Sequence, residues 1–491
     1  MTTPDGAPVA VRRLVGGGAV TLIGLDLKNP GLALGAVQPD IFWHRLLGRR
    51  AEVISGQELA QRSSPSSMGQ LRRNYTSRDE VFLDRAFDAL INKEGAAAAG
   101  LLLAFVVFLA YWGVAGPLGF VVLKARKRSA WAWVAFVGAG AAFTALAWGG
   151  ANLLKPRVVD ARHLTFLDHV YGQNFQRARS WMSVLLPTYG SMTAAIVPEE
   201  GAVNALCAWS PASESVLQAA FPDSRTYAVS ARDPSALNLP ARSTVKTLQA
   251  DWAGGPRWAM PVPTDASAAP AYRATPDALG SRGWSLSGQL THQLPAPLQD
   301  ITIIVVREPV PADSSVLPGQ MLVQASAFAL TKPWAPGDVL DLGTLTAGST
   351  SGNDRDALSA FIRDRLVFSG ERSGRPISWG GDELTRRMNA LALFDMLDPP
   401  DTQTSSLSNI PPLYRREQTH GWDLSRWFTQ PCIIILGHVR EAPSPIPMTV
   451  DAEPLPSSGH TVVRWVYPLP TVPLRPSGRP GVGSSAGPGA G

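Results

Sequence analysis

Residues 95–123 and 129–154 contain no Asp, Glu, Lys or Arg. Between them sits Lys124-Ala125-Arg126-Lys127-Arg128, four basic residues in five positions. An α-helix needs roughly 20 apolar residues to cross about 30 Å of hydrocarbon, and both runs are longer. A buried helix of a soluble protein is also apolar all round, but two such runs back to back fit a transmembrane helical hairpin over 95–154. Basic residues are held on the cytoplasmic side of a membrane, most strongly in short loops beside the spans. The turn Lys124, Arg126, Lys127, Arg128 is therefore expected in the cytoplasm, among lipid headgroups, with both flanks outside. A nucleic-acid patch is the competing reading of such a run. A five-residue loop at a membrane surface is a poor groove reader, so no nucleic-acid partner is expected.

The hairpin carries further detail. Trp131 and Trp133 follow the turn, at the depth indole rings favour. Tyr111 and Trp112 lie mid-span, facing either the partner helix or a thinned bilayer. Pro117 removes a backbone donor and is expected to kink the first span. Gly116, with Gly113 and Gly119, is expected to pack closely on a second span carrying Gly138 to Ala142, because small residues let helices approach in lipid. Neither span holds an ionisable residue, which argues against an ion or proton path.

The rest of the chain is read against that anchor. Of 491 residues, 45 are Gly and 42 Pro, and the formal net charge is +5. So many turn formers suit short strands better than helices. Short apolar or alternating runs cover "RHLTFLDHVYG", "ARSWMSVLLPTYGSMTAAIV" and "AVNALCAWS". Others follow at 283–345, and again in "LSRWFTQPCIIILGHV" and "HTVVRWVYPLP". They predict antiparallel β-sandwich domains. One β domain is expected over 155–280 and 399–475, and a second sandwich over 281–346. A helical insertion is expected at 347–398, where "NDRDALSAFIRDRLVF" and "GDELTRRMNALALFDML" have helical periodicity and cap-like starts. "CIIILG" at 432–437 is too apolar for an edge strand and is expected to be central. The tail at 476–491 is low-complexity and expected to be disordered.

Upstream, Gly16 to Gly18 precede a strand at 19–25, and "PDIFWHRLLGRR" reads as a short helix. Phosphate loops place their glycines after a strand, so phosphate binding is not expected. A strand and helix over 1–50 look like the remnant of an α/β domain. Residues 51–94 read as a linker and an amphipathic helix. The start "MTTPDGAPVAVRR" lacks an apolar leader, and 1–95 carries 12 Lys/Arg against 10 Asp/Glu. Either the orientation is reversed or upstream sequence is absent.

"VRRLVGGGAVTLIGLDL", "YWGVAGPLGFVVLKARKRSAWAW", "RSWMSVLLPTYG" and "LSRWFTQPCIIILGHV" resemble a group of uncharacterised bacterial membrane proteins, common in planctomycete-like genomes. In them a class I glutamine-amidotransferase-like domain precedes a membrane hairpin. The resemblance implies an envelope protein of the bacterial inner membrane, with most of an α/β domain and a signal or earlier span upstream. It supplies no catalytic residue.

A search for chemistry returns little. HExxH, Walker A and CxxC are absent, and GxSxG occurs only as "GSSAG" at 483–487, inside the low-complexity tail. His163 and His169, with Asp160 and Asp168 nearby, share a strand face but fall short of the three or four ligands a metal needs. His420, Asp423 and Ser425 lie close in sequence, which does not define a triad. Trp181, Trp209, Trp284, Trp334, Trp427 and Trp465 are core candidates, with a glycan or partner contact left for any that is exposed. Cys207 and Cys432 form a disulfide in an oxidising compartment or, as favoured for Cys432, a small core residue. No enzyme activity, cofactor or metal is expected. The expected role is a membrane anchor presenting extracytoplasmic β modules to a protein partner. The alternative is the anchor part of an amidotransferase-like enzyme or sensor whose active domain lies upstream.

Overall fold

Ala10–Val15 (β1) and Gly18–Ile23 (β2) pair antiparallel, with Val15 opposite Gly18. The expected strand after the glycines exists. Its partner is the preceding basic segment, an antiparallel pairing the sequence did not announce. The computed structural model describes residues 10–15, 18–24, 87, 90–91, 105–154, 158–187, 189–209, 232–242, 245–276, 282–308, 324–346, 358, 361, 381–393, 423–424, 427–428 and 430–469. The expected helix at 39–50, most of the 51–94 linker and the 476–491 tail lie outside these residues.

Two long helices follow, Phe105–Ala125 (α1) and Ala132–Leu154 (α2). Both are long and apolar enough to cross a membrane. After them the described chain is mostly strand. The first group is Asp160–Val170 (β3), Gln176–Leu185 (β4), Tyr189–Ile196 (β5), Val203–Ala208 (β6), Ala236–Arg242 (β7) and Val245–Gly254 (β8). Next come Ala259–Pro263 (β9), Ala271–Pro276 (β10), Arg282–Ser287 (β11), Gln289–Gln293 (β12), Gln299–Glu308 (β13), Gln324–Leu330 (β14) and Leu340–Asp341 (β15). Two helices, Gly343–Thr346 (α3) and Gly381–Leu391 (α4), lead to Cys432–Ala442 (β16), Met448–Val450 (β17), Glu453–Pro454 (β18) and Ser457–Pro468 (β19).

Eight strands form one sheet in the order β14-β13-β16-β19-β3-β4-β8-β6. Every pairing is antiparallel except β19 on β3. The last long strand thus lies beside the first one after the helices. β13 and β14, expected in a sandwich of their own, hydrogen-bond through β16 into the sheet that holds β3 and β4. The parts read as 155–280, 281–346 and 399–475 share this sheet, because Ile303 to Val306 and Cys432 to Leu436 are apolar on both sides and need a covered interior position. "CIIILG" is central as expected, with Ile433, Ile434 and Ile435 fully buried.

The period-2 alternation of these strands feeds two cores. One face, with Leu167, Met182, Trp252, Ile435 and Trp465, packs under two smaller sheets. Those have the orders β18-β17-β5-β7 and β15-β12-β9, giving an open, sandwich-like arrangement. The other face, with Phe166, Trp181, Ile434 and Val466, is covered by helical segments. These include Met388 and Leu391 of α4, Trp427 and Phe428, and Phe87 and Ile91 from the chain before α1. The insertion at 347–398 is helical in α4 and at Leu358 and Phe361, with a turn at Ala392 and Leu393.

Two glycines admit the close approach of neighbouring chain. A Cβ on Gly459 would lie 2.0 Å from the His163 carbonyl oxygen, its partner across the parallel pairing. A Cβ on Gly437 would lie 2.5 Å from Leu298 Cγ.

Candidate functional site: the apolar hairpin and the buried polar clusters

α1 is interrupted by a π-helical segment, Val114–Leu118, that contains Pro117. Proline has no N–H to give to the helical ladder, and a widened turn accommodates the loss. The disturbance expected at Pro117 is present in that form. Outward side chains are apolar and exposed, among them Phe108, Trp112, Phe120 and Trp148.

Contact between the helices is aromatic. The Tyr111 ring lies 5.7 Å from Phe143, edge to face, and 6.3 Å from Phe136. Phe136 and Phe143 are seven residues apart, two helical turns, and so share a stripe. The expected glycine contact is absent. A Cβ on Gly113, Gly116 or Gly138 would meet no atom within 4 Å, and one on Gly119 would meet only the Val114 backbone of its own helix. Bulky rings at the seam hold the backbones apart, which leaves the glycines facing outward or into open space.

The turn closes α1 in a Schellman arrangement. Arg128 N donates to Leu123 O at 2.9 Å, and Lys127 N donates to Lys124 O at 3.0 Å. Lys127 takes the left-handed conformation at φ 56° where glycine is usual. Lys124, Arg126, Lys127 and Arg128 are all exposed, and among the described residues none forms an ion pair. Trp131 and Trp133 follow at 62% and 70% exposure.

The histidines of the sheet hold structure. His163 Nε2 donates to the Ala442 carbonyl at 2.9 Å, and its Nδ1 lies 3.0 Å from Thr165 Oγ1, itself 2.8 Å from Ser180 Oγ. Burial lowers the His163 pKa to about 4, against the raising effect of its bond to Ala442. His169 pairs with the Phe175 carbonyl through Nδ1 at 3.0 Å. Asp168, weighed as their companion, points to the opposite face and is engaged by Arg464. Among the described residues no three His, Cys, Asp or Glu side chains gather as metal ligands. Of His420, Asp423 and Ser425, only Asp423 is described.

One cluster escaped the sequence reading. Asn389 Oδ1 of α4 accepts from His438 Nε2 at 3.0 Å, and His438 Nδ1 accepts from His460 Nε2 at 2.8 Å. This chain stitches the helical layer to β16 and β19. Both rings are neutral. Burial, then His460 and Arg440, hold His438 well below its usual pKa. Burial, then Arg440 and His163, bring His460 to about 4. No spacing rule exposes this set, because its members lie in three elements joined only by the fold.

Trp181, Trp209, Trp334, Trp427 and Trp465 are buried, so the core reading holds for them. Trp284 is half-buried, with the Arg307 guanidinium 4.5 Å from its ring centre. Cys207 and Cys432 are both free thiols, one exposed and one buried, so the disulfide alternative fails.

No family model matches this chain, and no curated protein matches it. Among solved structures it is similar to the yeast delta-COP-I mu-homology domain, with TM-score 0.24 and 8% identity over 63% of this chain and 98% of that one. The same yeast domain complexed with a Dsl1 WxWxV peptide gives TM-score 0.22 at 8% identity, with coverage again 63% and 98%. Similarity at this level assigns neither fold nor function.

Proposed function

We propose that the chain is an integral membrane protein of the bacterial cell envelope. In this reading the hairpin over 95–154 anchors it, the basic turn lies in the cytoplasm, and the β-rich body outside binds a protein partner or scaffolds a complex. One observation carries it. Away from their aromatic seam the two apolar helices leave large side chains exposed, while the chain before and after them belongs to one packed body. Phe87, upstream of α1, lies 4.8 Å ring to ring from Trp181 of β4, downstream of α2. Both stems of the hairpin therefore meet the same sheet face, which supports an even number of crossings. The histidine clusters are buried as structural ties, which favours binding over catalysis.

The test is accessibility to an impermeant maleimide on intact cells, in a Cys207→Ser background that leaves buried Cys432 in place. Ser458→Cys, on exposed β19 sequence, should label from outside. Ala125→Cys should label only after permeabilisation. The reverse pattern overturns the orientation, and labelling of both from outside overturns the anchor.

A further inference from the structure

We infer that the 124–128 turn selects anionic phospholipid headgroups, so that the hairpin gathers a negatively charged lipid shell. The inference rests on the membrane-anchor reading and names the partner of that same turn. Four cations in five positions repel one another, and no Asp or Glu occurs anywhere in residues 95–154 to offset them. All four are exposed and without an ion-pair partner among the described residues. That leaves the four charges available to anions brought from outside the chain.

Geometry sets the depth at which the charges sit. Lys124 is still in α1, which ends at Ala125, and the next helical turn begins at Ser129. Only Arg126, Lys127 and Arg128 stand beyond the helices, and the Schellman bonds hold that tip tight. A headgroup layer is about 5–8 Å deep on each side of the hydrocarbon, so so short a tip stays within it. Trp131 and Trp133, exposed directly after the tip, mark the same level. Arg126 and Arg128 supply planar forks suited to phosphate oxygens, while Lys124 and Lys127 supply point charges. A soluble acidic protein would have to reach into the headgroup layer to meet these groups; the lipid phosphates are already there.

The test uses the purified full chain in nanodiscs of equal phosphatidylglycerol and phosphatidylcholine with matched acyl chains. After mild detergent extraction, the lipids retained are quantified. Phosphatidylglycerol should be enriched by about fivefold or more, on the basis of roughly a factor of five for each basic residue near an anionic surface. Enrichment should fall as salt rises from roughly 0.05 M to 0.5 M. It should approach parity in K124Q/R126Q/K127Q/R128Q and persist in R126K/R128K, which keeps the charge. Far-ultraviolet circular dichroism of each variant confirms that the fold is kept. Parity in the native chain overturns the inference, as does unchanged enrichment in the glutamine variant or its loss in R126K/R128K. Displacement by excess free glycerophosphate overturns it in favour of a soluble phosphate ligand. If the native chain fails to stay with vesicles through alkaline extraction, the anchor reading itself has failed.

Discussion

Arg464 and Asp168 face each other across the parallel pairing of β19 with β3. Arg464 Nε meets Asp168 Oδ1 at 2.5 Å and Nη2 meets Oδ2 at 2.6 Å, a two-pronged bond buried on the helix-covered face. The guanidinium also lies 5.7 Å from the Phe166 ring centre. The pair joins strands 296 residues apart and fixes their register. Asp168→Asn removes the two-pronged carboxylate partner of a buried guanidinium, which costs about 3–5 kcal/mol. That is a large share of the roughly 5–15 kcal/mol that holds a domain folded. The double change Asp168→Leu with Arg464→Met should be near neutral, since apolar replacement removes both desolvation costs. Denaturant unfolding of the three proteins in detergent checks this. Equal loss in the single and double variants would refute it.

Phe87 packs on Phe166 and Trp181 although the apolar helices separate them in sequence. Phe87→Ala should destabilise the β-rich body by about 3–5 kcal/mol, as buried Phe→Ala changes do. Limited proteolysis reads the result, with β4 and α4 becoming cleavable. An unchanged digest would mean that the upstream segment does not belong to the body.

Glycines should divide sharply by position. Gly459→Ala drives a Cβ into the His163 backbone and should lower the melting temperature by several degrees, beyond the usual overpacking cost of about 1–3 kcal/mol. Gly116→Leu and Gly138→Leu should leave thermal stability in detergent unchanged, because both positions are exposed and nothing lies within 4 Å of an added Cβ. Tyr111→Ala, which removes the ring contacts at the helix seam, should cost about 0.5–1.5 kcal/mol beyond its lost area. A destabilised Gly138→Leu would restore the close-packed hairpin.

Acid should loosen the sheet before it unfolds the chain by other routes. His163 and His460 have folded pKa values of about 4, below the free value of 6.5. As pH falls below 6.5 the unfolded chain binds protons first, so stability is full above that value and lost progressively down to about 4. For fully buried His163 the slope between these limits approaches about 1.4 kcal/mol per pH unit. Urea midpoints at several pH values should show the decline, and His163→Gln should flatten it. An equal decline in that variant would assign the acid sensitivity elsewhere.

The hairpin was legible in sequence because two charge-free runs of helical length on either side of a basic turn need no tertiary contact to be read. Residues 95–154 hold both runs, and Pro117 and the basic turn state where the helices are disturbed and joined. The β-rich character was legible too, since alternation and turn formers are local, and "CIIILG" announced a central strand by being apolar on both sides. Strand partners were not. β13 pairs with β16, and β19 with β3, through hydrogen bonds between segments far apart in sequence, whose alternating patterns are interchangeable. So the merging of 281–346 into a shared sheet, the Arg464–Asp168 bond, the Asn389–His438–His460 chain and the Phe87 strap were decided only by tertiary structure. The hairpin seam belongs with them. Sequence offers glycines and aromatics as rival contact stripes, and the relative rotation of the two helices chose Tyr111, Phe136 and Phe143.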